Sequence, residues 1–238
     1  MNRSVLSEKE RKAVLDLPAF PMHAKGNEDF VTLGQHVDHA SLIVSGLAGS
    51  FCQTRDGSRQ IVALHIPGEM ADLQSVVQPQ AKNALQALSP TMVLRIPHWA
   101  LRDAARTFPA LAEAFWRDCS ADATILAQWV MNVGRRDALE RIAHLICEMT
   151  CRLEAQGEID EPLDAFTITQ VHLSEATGLS AVHVNRILQW LRRNRIAEFR
   201  EKRLHLLDWD RLVRVADFDS AYLHLANEPG DRLRIAQA

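Results

Sequence analysis

The chain changes rhythm twice along its length. From about Pro21 to Pro97, short apolar runs are cut by turn signals. The stretch "GQHVDHASLIVSGLAGSFCQTRDGSRQIVALHIPGEM" alternates β-branched and apolar residues around Gly-containing breaks. That spacing predicts several short strands in an all-β sandwich or jelly roll. Within it, Arg55-Asp56-Gly57-Ser58 holds an Asp-Gly dipeptide, which favours a tight hairpin. A short helix from Ser7 to Leu15 precedes the roll and would cap it.

From Pro109 to about Val133 the period becomes helical. Leu111, Phe115, Asp118, Asp122, Ile125, Trp129 and Val133 recur at spacings of three and four, with no internal Gly or Pro. A long amphipathic helix leaving a β-domain can pack on its own chain or pair with a second copy. Pairing is the expectation, with Leu111, Phe115, Asp122, Ile125 and Trp129 as dimer contacts, although the two aspartates make the zipper imperfect. Gly134-Arg135-Arg136 interrupts the pattern. A new amphipathic helix follows in "DALERIAHLICEMTCRLEA", with Leu139, Ile142, Ala143, Ile146 and Met149 facing inward.

After the polar loop "QGEIDEPLDA" come helical patterns at Gln170–Ala176 and Ala181–Asn194, then a hairpin through "IAEFREKRLHLLD". Three helices and a β-ribbon outline a winged helix. "DWDRLVRVADFDSAYLHL" reads as one more helix, with Trp209, Leu212, Phe218 and Tyr222 as core. The fold class is therefore α+β. The expected domains are a roll over residues 1–108, a dimerisation helix over 109–134, a winged helix-turn-helix over 135–226 and a flexible tail over 227–238.

Chemistry concentrates in "LSEATGLSAVHVNRILQWLRR", from Leu173 to Arg193. Gly178 sits at the turn, where positive φ is needed, and Ser174, four residues earlier, lets two helices cross closely. Ser180 is placed to cap the second helix. Val184, Ile187, Leu188 and Leu191 form its buried stripe, leaving Ala181, Val182, Asn185, Arg186 and Gln189 to face outward. In a helix-turn-helix that edge enters the DNA major groove. Arg186 suits guanine, Asn185 or Gln189 suits adenine, and Val182 suits a thymine methyl. Thr169, Ser180, His183, Arg192 and Arg193 are candidates for phosphates.

Charge sharpens this reading. The whole chain carries a formal net charge of −3, yet Phe166 to His205 holds seven basic residues against three acidic ones. A basic segment on an acidic body suggests a surface for a polyanion. At 238 residues, 47% hydrophobic and 24% charged, the composition is that of a globular protein. The N-terminus "MNRSVLSEKERKAV" has no apolar core of a signal peptide, and no apolar run is long enough to span a membrane, so a cytoplasmic location is expected. Cys52, Cys119, Cys147 and Cys151 are scattered and suggest neither a disulfide framework nor a closed zinc site.

The sequence resembles the Crp/Fnr superfamily of bacterial transcription regulators, from about Leu6 to Leu225. The residues carrying the likeness are "LIVSGLAG" and "DGSRQIVALHIPGEMADL" in the roll, "GRRDALERIAHLICEM" entering the second domain, and "LSAVHVNRILQWLR" in the recognition helix. The resemblance implies a cyclic-nucleotide-binding-like roll and a homodimer on a two-fold symmetric double-stranded DNA operator, with RNA polymerase as a further partner. Members that bind cyclic AMP carry a Gly-Glu pair late in the roll and an Arg-Ser pair further on. The corresponding residues here are Asp72-Leu73 and Lys82-Asn83, and the Asp72 carboxylate would repel a phosphate. An effector pocket is expected at these four residues, with the effector unknown and cyclic AMP disfavoured. Iron–sulfur sensors of the family have an N-terminal cysteine cluster, whereas the first cysteine here is Cys52. No cofactor is evident.

Two rivals remain. His36, His39 and His65 could make the roll a cupin-like metal-binding enzyme, but His36 and His39 are not spaced to share an interior face. A redox-, haem- or small-ligand-sensing regulator of the same fold is the other. Cys119 is the thiol whose oxidation would act on pairing, yet its neighbours Asp118 and Asp122 disfavour a thiolate.

Overall fold

Seven short strands between residues 20 and 97 pair into two antiparallel sheets. In the computed structural model, which describes residues 4, 6–157, 168–200 and 203–225, these are β1 (Phe20–Ala24), β2 (Glu28–Val31), β3 (His39–Ser45), β4 (Ala48–Gln53), β5 (Arg59–His65), β6 (Ala84–Ala87) and β7 (Thr91–Pro97). One sheet runs β1-β7-β3 and the other β2-β6-β4-β5. Val31, Ile43, Ala48, Leu85 and Val93, drawn from both sheets, meet in one buried cluster, so the inner faces close on a common core. The Asp-Gly turn joins β4 to β5 as its sequence predicts, with Gly57 at φ +89° and the Asp56 carboxylate accepting from the Ser58 N–H at 3.2 Å. At Gly46, between β3 and β4, φ is +88° and an added Cβ would lie 2.4 Å from the Pro90 carbonyl oxygen, so only glycine fits.

Several helices begin at side-chain caps. Ser7 and Glu10 form a capping box for α1 (Glu8–Leu15), and α2 (His98–Thr107) follows β7 directly. Next comes α3 (Pro109–Arg135), which passes through Gly134 without a break. Asp137 accepts from the N–H groups of Leu139 and Glu140 to open α4 (Ala138–Ala155). The remaining elements are α5 (Gln170–Thr177), α6 (Ala181–Arg193), β8 (Ala197–Arg200), β9 (Arg203–Leu206), α7 (Trp209–Ala216) and a 3-10 turn, Ser220–Leu223.

Contacts within the chain fall into two compact units, residues 1–123 and 124–238, divided inside α3. In the first, Leu111, Ala114 and Phe115 of α3 join Leu73, Ile96 and Leu101 in a buried cluster. In the second, α4 is the centre, contacted by α5, α6 and α7. Every residue of α4 from Ile142 to Leu153 is buried. That run includes Glu148, whose carboxylate accepts from the Tyr222 hydroxyl at 3.0 Å and from Arg152 at 3.0 Å.

Three expectations change. The last apolar stretch is not one helix: Asp217 takes φ +46° and ends α7, and Asp219 caps a separate 3-10 turn by accepting from the Ala221 N–H. The stripe read as dimer contacts faces its own chain: Leu111, Phe115, Ile125 and Trp129 are buried within the protomer, and only Asp122 is exposed. Leu73 belongs to the core cluster above, so its side chain is packing rather than pocket wall. Residues 158–165 of the polar loop and the expected tail lie outside the described residues.

Candidate nucleic-acid interface

The turn between α5 and α6 is fixed by local chemistry at each step. Thr169 caps α5 by accepting from the His172 N–H at 3.1 Å. Gly178 ends it in the left-handed region at φ 67°, its N–H bonding the Ser174 carbonyl at 2.9 Å. The Ser174 hydroxyl donates to the Leu179 carbonyl and closes the turn. From α4, the Arg141 guanidinium donates to the carbonyl of Thr177 at 2.9 Å and to that of Arg136 at 3.0 Å. One half-buried cation thus ties the end of α5 to the start of α4. Ser180 then opens α6 by accepting from the His183 N–H at 3.3 Å.

Beneath α6, Val184, Ile187, Leu188 and Leu191 are buried, as their spacing predicts. Ala181, Val182, His183, Asn185, Arg186, Gln189, Arg192 and Arg193 are all exposed. Gln189 Nε2 donates to Asn185 Oδ1 at 3.1 Å. Among the described residues, no hydrogen bond or ion pair restrains the Arg186 guanidinium. Arg192 faces Glu198 of β8 at 3.7 Å, and Arg200 pairs with the same carboxylate. Arg211 donates to the carbonyl of Asn194, the C-cap of α6, at 2.9 Å. The result is a rigidly seated helix with an apolar underside and an outward edge of amide, guanidinium and methyl groups. Its free N-terminal N–H groups and dipole favour a phosphate near Ser180 and His183. The hydroxyls of Ser180 and Thr169 serve their own helices as acceptors, which leaves each O–H to donate to a phosphate.

In the roll, Asp72, Lys82 and Asn83 line one pocket of about 240 Å³ together with Ser75, Gln78 and Gln80. Leu73 does not join them. Asp72 Oδ1 accepts from the Ser41 N–H at 2.6 Å, and burial pushes its carboxyl from the ordinary 3.8 up to about 6, against that hydrogen bond and the nearby His39. Ser75 Oγ lies 2.8 Å from His98 Nε2. The three histidines of the metal-site reading are dispersed: His65 pairs with Ser50, His39 with Asp38, and His36 bridges to Gln80 on the backbone. Among the described residues, no three metal-ligating side chains come together. The Cys119 thiol is pushed up by burial and then by Asp122 and Asp118, away from the thiolate a redox sensor needs.

The outward face of α3 carries a second apolar row, distinct from the Leu111-to-Trp129 stripe. Trp116, Ala123 and Val130 alternate with half-buried Cys119, which also packs on the core of its own unit, and with Leu126 and Val133, at steps of three and four. Trp116 is 72% and Val130 63% exposed, whereas Trp129 and Ile125 are 6% exposed. All six are apolar, and the unbroken three-four spacing was the available signal.

Two family descriptions match the chain, "Cyclic nucleotide-binding domain" at residues 21–108 and "Crp-like helix-turn-helix domain" at residues 140–215; together they take in more than half of it. The anaerobic regulatory protein of Haemophilus influenzae is 26% identical over 155 residues, covering 65% of this chain and 60% of that protein. The fumarate and nitrate reduction regulatory protein of Vibrio cholerae is 25% identical over 183 residues, covering 77% and 72%. The transcriptional activator protein Anr of Pseudomonas protegens is 26% identical over 190 residues, covering 77% and 75%. The matched stretch is thus under two thirds of the first relative's length. In fold, the chain is similar to FixK2 from Bradyrhizobium japonicum, with a TM-score of 0.76 at 24% identity, covering 84% of this chain and 98% of that one. It is also similar to the c-di-GMP responsive global regulator CLP of Xanthomonas campestris, with a TM-score of 0.64 at 14% identity, covering 84% and 99%. With a roll matching the one description and a capped α6 with an exposed outer edge inside the other, the chain belongs to the Crp/Fnr family of transcription regulators.

Proposed function

We propose that the protein is a cytoplasmic, homodimeric regulator that binds a two-fold symmetric operator through α6 and acts there on RNA polymerase. The observation that carries this is the split of α6 into a buried stripe and an exposed edge of Val182, Asn185, Arg186 and Gln189. Arg186 reads guanine through O6 and N7, while Arg192, Arg193 and the basic hairpin meet phosphates. The outward row of α3 is the dimer seam. Joining two copies along it places two recognition helices in successive major grooves, about 34 Å apart.

The effector acts from the Asp72 pocket and is not cyclic AMP. A buried carboxylate that is mainly ionised at neutral pH repels a cyclic phosphate, and Lys82 is turned to the Gln80 amide at 3.0 Å. Selection of bound sequences from randomised duplex DNA, with sedimentation of the complex, tests the reading. A palindromic site bound by two copies is expected. Binding that is blind to sequence and falls steeply with salt would overturn it.

A further inference from the structure

The hydrogen bond between Gln189 and Asn185 joins two exposed side chains one turn apart on α6, at the edge that faces outward. An exposed amide on a helix ordinarily samples several rotamers, and fixing it on DNA costs entropy. Here Gln189 Nε2 holds Asn185 Oδ1 at 3.1 Å before any ligand arrives. A carbonyl oxygen has two lone pairs and an amide nitrogen two hydrogens. Asn185 therefore keeps one acceptor lone pair and both Nδ2 hydrogens after Gln189 is served. That set matches adenine, which offers the N6 amino group as donor and N7 as acceptor in the major groove.

Asn185 is better placed to read the base than Gln189. The N-terminal residues of a recognition helix reach base edges, and Asn185 lies a full turn nearer that end. It is also the immediate neighbour of Arg186. Successive residues rise by about 1.5 Å along the helix, less than the roughly 3.4 Å step between bases. The two side chains diverge by about 100° around the axis, yet their adjacent origins keep neighbouring base pairs within reach of both.

We infer that Asn185, oriented by Gln189, specifies an adenine in the base pair beside the guanine read by Arg186. This rests on the DNA-reading role of α6 proposed above. Gln189 is a positioning residue: it touches Asn185, not the base.

The test is selection from randomised duplex DNA with the full-length chain and its Asn185→Ala, Asn185→Asp, Gln189→Ala and Arg186→Ala variants. Asn185→Ala is expected to lose the adenine preference, roughly ten- to hundred-fold, and to keep guanine at the next position. Asn185→Asp, which can only accept, is expected to switch that position towards cytosine, whose N4 amino group donates. A merely structural role would not produce that switch. Gln189→Ala should flatten the adenine preference without removing it, and should add nothing in an Asn185→Ala background. Retention of adenine by Asn185→Ala would overturn the inference. The DNA-reading role itself fails on a different result, namely no preferred base at any position and no effect of Arg186→Ala.

Discussion

The indole Nε1 of Trp129 donates to both oxygens of the Glu148 carboxylate, at 3.1 and 3.0 Å, inside the helical unit. With Tyr222 and Arg152 this gives one fully buried carboxylate three donor side chains. Burial still pushes the Glu148 carboxyl above its ordinary range, against the pull of Arg152, Tyr222 and Trp129. Glu148→Ala leaves the Arg152 guanidinium buried without this partner, and is expected to cost about 3–5 kcal/mol. Trp129→Phe removes one donor and should cost about 1–3 kcal/mol. Urea denaturation of both variants checks the order, and a Glu148→Ala protein as stable as wild type would contradict it.

Two buried titratable groups give stability opposite slopes with pH. Folded Asp72 keeps a proton up to about pH 6 that the unfolded chain gives up near 3.8, so its contribution falls as pH rises from about 4 to 6. The difference amounts to about 3 kcal/mol, and Asp72→Asn, which preserves an acceptor for Ser41, is expected to abolish that slope. His144 behaves in reverse. Burial, and then Arg136, lower it from 6.5 to about 3, so the unfolded chain takes up a proton the folded one refuses, and stability is lost as pH drops through that window. His144→Phe should remove this loss. Unfolding free energies between pH 3 and 8 for the two variants would show the slopes changing in opposite senses.

Substitutions on the two faces of α3 should separate assembly from folding. Leu126→Asp with Val130→Asp places charges on the outward row and is expected to give folded monomers with little operator affinity. Ile125→Asp puts a carboxylate among buried side chains, and should unfold the helical unit. Sedimentation velocity and circular dichroism read the two effects independently; unchanged sedimentation of the double variant would rule out the proposed seam.

Arg186→Ala is expected to lose about 1–3 kcal/mol on the selected operator and little on random duplex. Arg193→Ala should weaken both alike and lower the salt slope by about one. Arg192, already facing Glu198 at 3.7 Å, should matter less than Arg193. Titrations at several salt concentrations decide this, and equal losses on both DNAs for Arg186→Ala would remove its base-reading role.

The exposed edge of α6 was legible because its information is local. Gly178, Ser180 and the Val184-to-Leu191 stripe fix turn, cap and buried face within twenty residues. The exposed apolar row of α3 was not, because that helix carries two apolar rows, and periodicity alone does not say which one its own chain consumes. The aspartates at 118 and 122 made the chosen row look like a flawed zipper, while the clean three-four spacing of Trp116 to Val133 lay on the other side. Glu148 was missed for a related reason: a lone Glu in "LICEMTC" reads as surface unless the helix is seen to be apolar on every side. The separate 3-10 turn after α7 depends on left-handed Asp217, which sequence periodicity does not signal.

The uninterrupted burial of Ile142 to Leu153 has an evolutionary consequence. Relatives can drift on any helix that keeps one face in solvent, because changes there touch no packing. Between Ile142 and Leu153 there is no such face. A saturation scan of single substitutions should therefore show intolerance as a solid bar across α4, and as a repeating three-to-four-residue beat across α6 wherever selection acts on stability alone.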